Sequence, residues 1–512
     1  MKQNTPISKE LAAARAYEAE AEKLVPEEER PVFHFTPRTG WLNDPNGFSY
    51  YDGKYHLFYQ YHPYSSFWGP MHWGHAVSND MIFWEYLPAA LAPDKPYDRL
   101  GCFSGSAVTM DDGSHLLMYT GCTDKPADPT GRSRWLQSQN LAVKGPGGSE
   151  YVKYDQTPVI TGADLPDGAD LYEFRDPYLW REANGTYRAL AANGVYDETK
   201  GTQLCLFKSD DGFDWHFEQI LFEDKRKIGV MWECPNFFPL GEKHVLIASP
   251  MDMQVEEEEA VGSIRFPKGN NVCYILGDCV DGAFIPDADE SGRFIYAPVD
   301  GGLDFYAPQV METLDGRRVM IGWMQDPKTA NDHDESMRLF GQMTVPRELT
   351  LEEGVLYQWP VSELEAYRKE ETYVRQMPLP DTWTQLPGIC GRSVDVLAEI
   401  GEAERAVGIR FAADSKHYTQ ITFDPVRSTV TIDRSASGQS EKMTAKRTIK
   451  VRNRGGRLSL RILIDRRSAE IFINGGEQAA SLTFYTDIKA QDIVFKAEGR
   501  ALIELTKYTI SR

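Results

Sequence analysis

The sequence predicts an all-β protein, a five-bladed β-propeller followed by a C-terminal β-sandwich. Three observations carry that expectation. A turn pair followed by a short apolar strand recurs five times, at Asp52-Gly53, Asp112-Gly113, Asn184-Gly185, Gly241-Glu242 and Asp315-Gly316. Such pairs between strand-like runs are hairpin signals, and their spacings of 60, 72, 57 and 74 residues leave room for about four short strands each. From residue 378 the pattern changes to longer alternating strands. Leu458, Leu460, Ile462 and Ile464 share one face there, and Asn474-Gly475 turns the chain after Ile471 and Ile473.

In chain order, residues 1–30 form an N-terminal extension in which Leu11 to Leu24, rich in Ala and Glu, reads as a helix. A polar start without an apolar middle separates it from a signal peptide. Residues 31–355 hold the five repeated units. Residues 356–377 read as a linker with a short helix from Ser362, whose hydroxyl is placed to cap it. Residues 378–512 form the sandwich.

Composition narrows the function. The formal net charge of −21 argues against nucleic acid or an anionic membrane as a partner. No apolar run approaches the roughly 18 residues of a membrane span. Seven cysteines are scattered without CxxC spacing, which points to a reducing, cytoplasmic setting and to no zinc site. His72 and His75 lie three apart without a third ligand, so neither a metal nor another cofactor is expected. Phe, Trp and Tyr make up 12% of the chain, which suits both strands and sugar-binding surfaces. Oligomeric state is not legible.

Eight residues before each turn stand Asp44, Ser104, Asp176, Glu233 and Ala307. Equal offsets predict equal heights on equivalent strands, which brings three carboxyls to one mouth of a central channel. Asn43-Asp44-Pro45-Asn46-Gly47 taken alone is an ordinary turn composition; the shared offset is what raises it to a site. Paired carboxyls suit glycoside cleavage, with one as nucleophile or base and one as proton donor. Trp232, Cys234 and Pro235 beside Glu233 are expected to keep it protonated. Asp44 and Asp176 are expected to stay ionised, the latter beside Arg175.

Trp41-Leu-Asn-Asp-Pro-Asn-Gly, Phe103-Ser-Gly-Ser, Arg175-Asp-Pro and Trp232-Glu-Cys-Pro resemble, in order and separation, the signature blocks of glycoside hydrolase family 32. That family comprises invertases, sucrose-6-phosphate hydrolases and fructan hydrolases. The resemblance runs from about Phe33 to the C-terminus and implies a retaining β-fructofuranosidase acting on a small carbohydrate. It implies Asp44 as nucleophile, Glu233 as acid/base and Asp176 as the residue that holds fructose hydroxyls. It also implies that Trp41, Asn43, Gln60, Trp68, Phe103, Ser104, Arg175 and Trp323 line the sugar pocket. The expected substrates are sucrose and short fructo-oligosaccharides, cleaved from the chain end. Sucrose 6-phosphate requires a basic rim, for which Lys125, Arg132, Arg134 and Lys144 are the candidates. An inverting arabinanase-like enzyme and a non-catalytic sugar-binding propeller are the competing readings.

Overall fold

The computed structural model describes residues 7–124, 135–170, 172–194, 201–258, 263–438 and 443–512. Strands dominate it, as the turn spacing predicts. Each of the five turn pairs joins the first and second strands of a separate antiparallel sheet. The first strands are Gly40–Tyr51, Gly101–Thr109, Phe174–Arg181, Trp232–Leu240 and Tyr306–Glu312. They touch in a ring, each against the next and the fifth against the first. Leu339–Phe340 closes the circuit by pairing in parallel with Gly40–Trp41 of the first sheet.

The C-terminal part consists of two six-stranded antiparallel sheets around one aliphatic core. Its start lies earlier than the sequence suggests. Val355–Pro360 is the fourth strand of the fifth sheet, and Arg368–Pro378 is already an edge strand of the first C-terminal sheet. The 356–377 linker therefore shrinks to residues 361–367. Arg368–Pro378 escaped notice because most of its side chains are exposed, so it lacks the apolar alternation that marks a half-buried strand. Ser362 does not cap the connecting turn either: it begins a six-residue 3₁₀ helix, and Val361, which holds the N-cap position, offers no side-chain hydrogen bond.

A buried charge cluster holds the two parts together. His34 meets Asp465 through Nδ1 at 2.9 Å and Glu470 through Nε2 at 3.0 Å. Arg347, from the fifth sheet, donates to the same Glu470 and, at 3.0 Å, to Asp300. None of these groups is exposed beyond a trace, so each charge depends on its partner rather than on water.

The N-terminal helix α1 (Lys9–Ala21) is capped by Ser8, whose Oγ accepts from Leu11 N at 3.1 Å. It lies along Trp84–Leu91, the outermost strand of the first sheet. Arg15 donates to Ala89 O at 2.8 Å, and Glu18 accepts from Ala89 N at 2.9 Å. The helix thus satisfies backbone groups of an open sheet edge. Among the described residues, no helix is long and apolar enough to cross a membrane.

Candidate active site

The five first strands share one irregularity. In each, two residues bulge opposite a single residue of the second strand: Asn43 and Asp44, Phe103 and Ser104, Asp176 and Pro177, Cys234 and Pro235, Ala307 and Pro308. Proline has no N–H for the ladder, so in four of the sheets it breaks pairing within or just after the bulge. The second sheet has Gly105 instead, where a Cβ would sit 2.0 Å from Met118 O. Bulges at the same level of neighbouring strands aim side chains out of the ring end, which is why the carboxyls gather there.

The heights are not equal, as the fixed offset had implied. Asp44 and Ser104 are the second residues of their bulges, Asp176 and Ala307 are first residues, and Glu233 stands one residue before its bulge. The difference follows from hairpin turns of unequal length, from unequal numbers of paired residues between turn and bulge, and from a second bulge in the first strand, at Gly47 and Phe48. Three carboxyls still converge. Cys234 Sγ lies 3.6 Å from an oxygen of both Asp44 and Asp176, and its backbone N–H donates to Asp176 at 3.1 Å.

Each carboxyl is held differently. Asp44 accepts from Asn43 Nδ2 at 3.0 Å on one oxygen and from Ser104 Oγ at 2.6 Å on the other. Asn43 is in turn fixed by Trp41 Nε1 at 2.7 Å. Glu233 accepts from Arg175 Nε and Nη2, both at 3.0 Å, and its second oxygen lies 2.6 Å from Tyr306 OH. Arg175 also pairs with Glu173 and lies 3.9 Å from Asp176. Exclusion of water raises Asp44 above the usual carboxylate range, the Ser104 hydrogen bond opposes this, and the charge of Glu233 adds to it. Burial pushes Asp176 up to about 7; Arg175 opposes the rise, while Glu233 and Asp44 reinforce it.

Two expectations therefore change. Asp44 and Asp176 do not keep ordinary acidities, because burial beside other acids outweighs one arginine. Apolar neighbours do not enclose Glu233: Trp232 is turned into the core, 1% exposed, with its Nε1 donating to Asp224 at 3.2 Å, and polar donors hold the carboxyl instead.

The expected pocket residues divide into three groups. Asn43, Ser104 and Arg175 touch the acids directly. Phe103 and Trp68 stand at the mouth, their rings 6.2 Å apart, with Trp68 41% exposed. Trp41, Gln60 and Trp323 are almost fully buried. Trp41 is 1% exposed and stacks on Phe340; Trp323 is 3% exposed and packs edge-on against Trp41. Gln60 faces the first bulge and donates to Cys102 O of the next sheet at 3.0 Å. Thr120 faces the second bulge and accepts from Asp176 N at 3.0 Å. Both tie one sheet to the next, which accounts for their burial. Lys144 is also misplaced: it pairs with His115 at the hairpin end of its strand, remote from the mouth. Lys125, Arg132 and Arg134 lie outside the described residues.

Sequence reading missed Tyr306 and Cys234. The available signal was the repeat itself, since Tyr306 stands before its bulge just as Glu233 does. Beneath the acids, Asn236 and Gln309 bridge neighbouring first strands, and the space of about 10 Å³ between those strands is no larger than one water needs. With the centre of the ring bridged there, the three acids form the floor of the opening above it.

An all-β chain with clustered acids at a pocket floor has the constitution of a glycoside hydrolase. Residues 34–360 match the glycosyl hydrolases family 32 N-terminal domain, and residues 363–511 match the family's C-terminal domain. The chain belongs to glycoside hydrolase family 32. It is 33% identical over 493 residues to a sucrose-6-phosphate hydrolase of Escherichia coli, covering 93% of each chain. It is 32% identical over 502 residues to the raffinose invertase of Escherichia coli, covering 92% of this chain and 93% of that one. The GH32 β-fructofuranosidase of Bombyx mori superposes with a TM-score of 0.82 at 29% identity, covering 99% of both chains.

Proposed function

We propose that this enzyme is a retaining, exo-acting β-fructofuranosidase that releases terminal fructose from sucrose and short fructo-oligosaccharides. The observation that carries the reading is the pair of hydrogen bonds on Asp44. Ser104 and Asn43 each engage one carboxyl oxygen, which aims the group and favours its charged form, as a nucleophile needs. Asp44 attacks the anomeric carbon of fructose, and Glu233 gives a proton to the departing oxygen. Glu233 then takes a proton from the water that cleaves the fructosyl–enzyme bond. Asp176, fixed by Cys234 N, accepts hydrogen bonds from fructose hydroxyls. Carboxyls packed this closely resist being charged together, so a proton held within the cluster is available for the first step.

The same proposal includes the architecture. The ring of first strands supports a five-bladed propeller over residues 31–360, and the shared aliphatic core supports a sandwich from 368 onward. A floor closed by Asn236 and Gln309 supports exo action, because a dead-ended pocket admits a chain end and not a chain middle. All seven cysteines are free thiols, which supports a reducing, cytoplasmic compartment. Relatives named as sucrose-6-phosphate hydrolases make the phosphorylated disaccharide the second substrate to test.

The experiment is a comparison of kcat/KM for sucrose, sucrose 6-phosphate, 1-kestose and inulin. Fructose release from sucrose and kestose, with little from long inulin, is expected. A hundredfold preference for sucrose 6-phosphate reassigns the substrate, and early release of internal oligosaccharides from inulin contradicts exo action.

A further inference from the structure

Beside the mouth, three aromatic rings form an arrangement that the chemistry at the floor does not use. Trp68 and Trp135 lie parallel, 5° between planes and 6.0 Å between centroids, and each is 41% exposed. Phe103 meets both edge-on, at 6.2 Å and 5.9 Å. The three come from two sheets. Trp68 lies in the loop after the second strand of the first sheet, and its backbone N–H donates to Asn331 Oδ1 at 3.1 Å. Trp135 opens the third strand of the second sheet, opposite Asp124. Phe103 precedes Ser104, the residue that donates to Asp44. The paired indoles are thus one side chain removed from the residue that orients the carboxyl, on its solvent side.

Exposed indoles held parallel lose the burial that would repay their ordering. Their faces suit the C–H faces of a pyranose ring, which aromatic side chains bind through apolar contact and a negative π-face. The floor is taken by the fructosyl unit under the reading above, on which this inference rests. We propose that Trp135, with Trp68, forms the platform for the pyranosyl leaving group, and that Trp135 sets the preference for glycosyl over simple alkyl aglycones.

The test compares sucrose with methyl β-D-fructofuranoside, which carries the same fructosyl unit and no pyranose. Trp135→Ala is expected to raise KM for sucrose about tenfold with kcat within about twofold, the pattern of lost uniform binding. Both constants for the methyl fructoside are expected to stay within about twofold. Trp135→Phe, which keeps an aromatic face, is expected to recover most of the loss. Equal losses on both substrates overturn the proposal, because they mean that the ring supports Phe103 and the floor. Unchanged kinetics on both also overturn it. If Trp135→Ala does not fold, wild-type recovery of KM in Trp135→Leu, which fills space without a π-face, overturns it as well. Wild-type protein inactive on both fructosides refutes the fructosidase reading itself, a result distinct from the others.

Discussion

Arg175 donates to one oxygen of Glu233 from both Nε and Nη2, at 3.0 Å each, while Tyr306 OH lies 2.6 Å from the other oxygen. The proton donor of the proposed reaction is therefore held between the third and fifth sheets, by polar contacts on both sides. Its direction is set before any sugar arrives, which is the kind of pre-organisation that keeps a reacting group near its productive geometry.

Glu233→Gln keeps the size and most contacts but removes the transferable proton. Substrates with poor leaving groups, such as sucrose, should lose about 10³-fold in kcat, and an activated aryl fructoside should lose far less. Parallel assays on the two substrates check this. Equal losses on both remove Glu233 from the donor role.

Asp44→Asn retains the bulge and Pro45 but removes the nucleophile. Turnover should fall at least ~10³-fold with the melting temperature preserved. A variant keeping a tenth of wild-type turnover takes Asp44 out of the mechanism.

Ser104 opposes the upward shift of Asp44. In Ser104→Ala the carboxyl loses a donor to its charged form and binds its proton more tightly, so the acid limb of the kcat/KM profile should move to higher pH. A limb that stays in place or moves to lower pH contradicts the assignment of that limb to Asp44.

Burial alone would depress His34, but its hydrogen bonds to Asp465 and Glu470 prevail and raise it to about 9. A group whose folded value exceeds its unfolded one stabilises fully below the latter, near 6.5, and stops doing so as pH rises through the former. The wild-type melting temperature should thus fall between pH 6.5 and 9 more steeply than that of His34→Gln, by roughly 1 °C for each kcal/mol lost in a chain of 512 residues. Identical slopes would mean that His34 is not charged at this junction.

The five hairpins and the convergence of acids were legible because turn chemistry is local and repeats. The five-fold bulge was not, because bulges depend on pairing across strands, and only the prolines at Pro45, Pro177, Pro235 and Pro308 hint at it. The burial of Gln60 and Trp323 was not legible, because strand amides and aromatics look alike in sequence whether they are exposed or enclosed. The polar surroundings of Glu233 were not legible for a related reason: adjacent residues in a strand point to opposite faces, so the apolar Trp232 says little about what surrounds its neighbour. The edge strand Arg368–Pro378 was invisible because it buries too little to leave a pattern.

The central claim is cleavage through a fructosyl bond to Asp44, and the anomer of the released sugar tests it most directly. Sucrose should be hydrolysed in an NMR tube with enough enzyme to outrun mutarotation, and the first fructose signals read. The account predicts β-D-fructofuranose first, the configuration of the substrate, because two displacements restore it. The α anomer appearing first would mean a single displacement by water, and Asp44 could not then be the nucleophile.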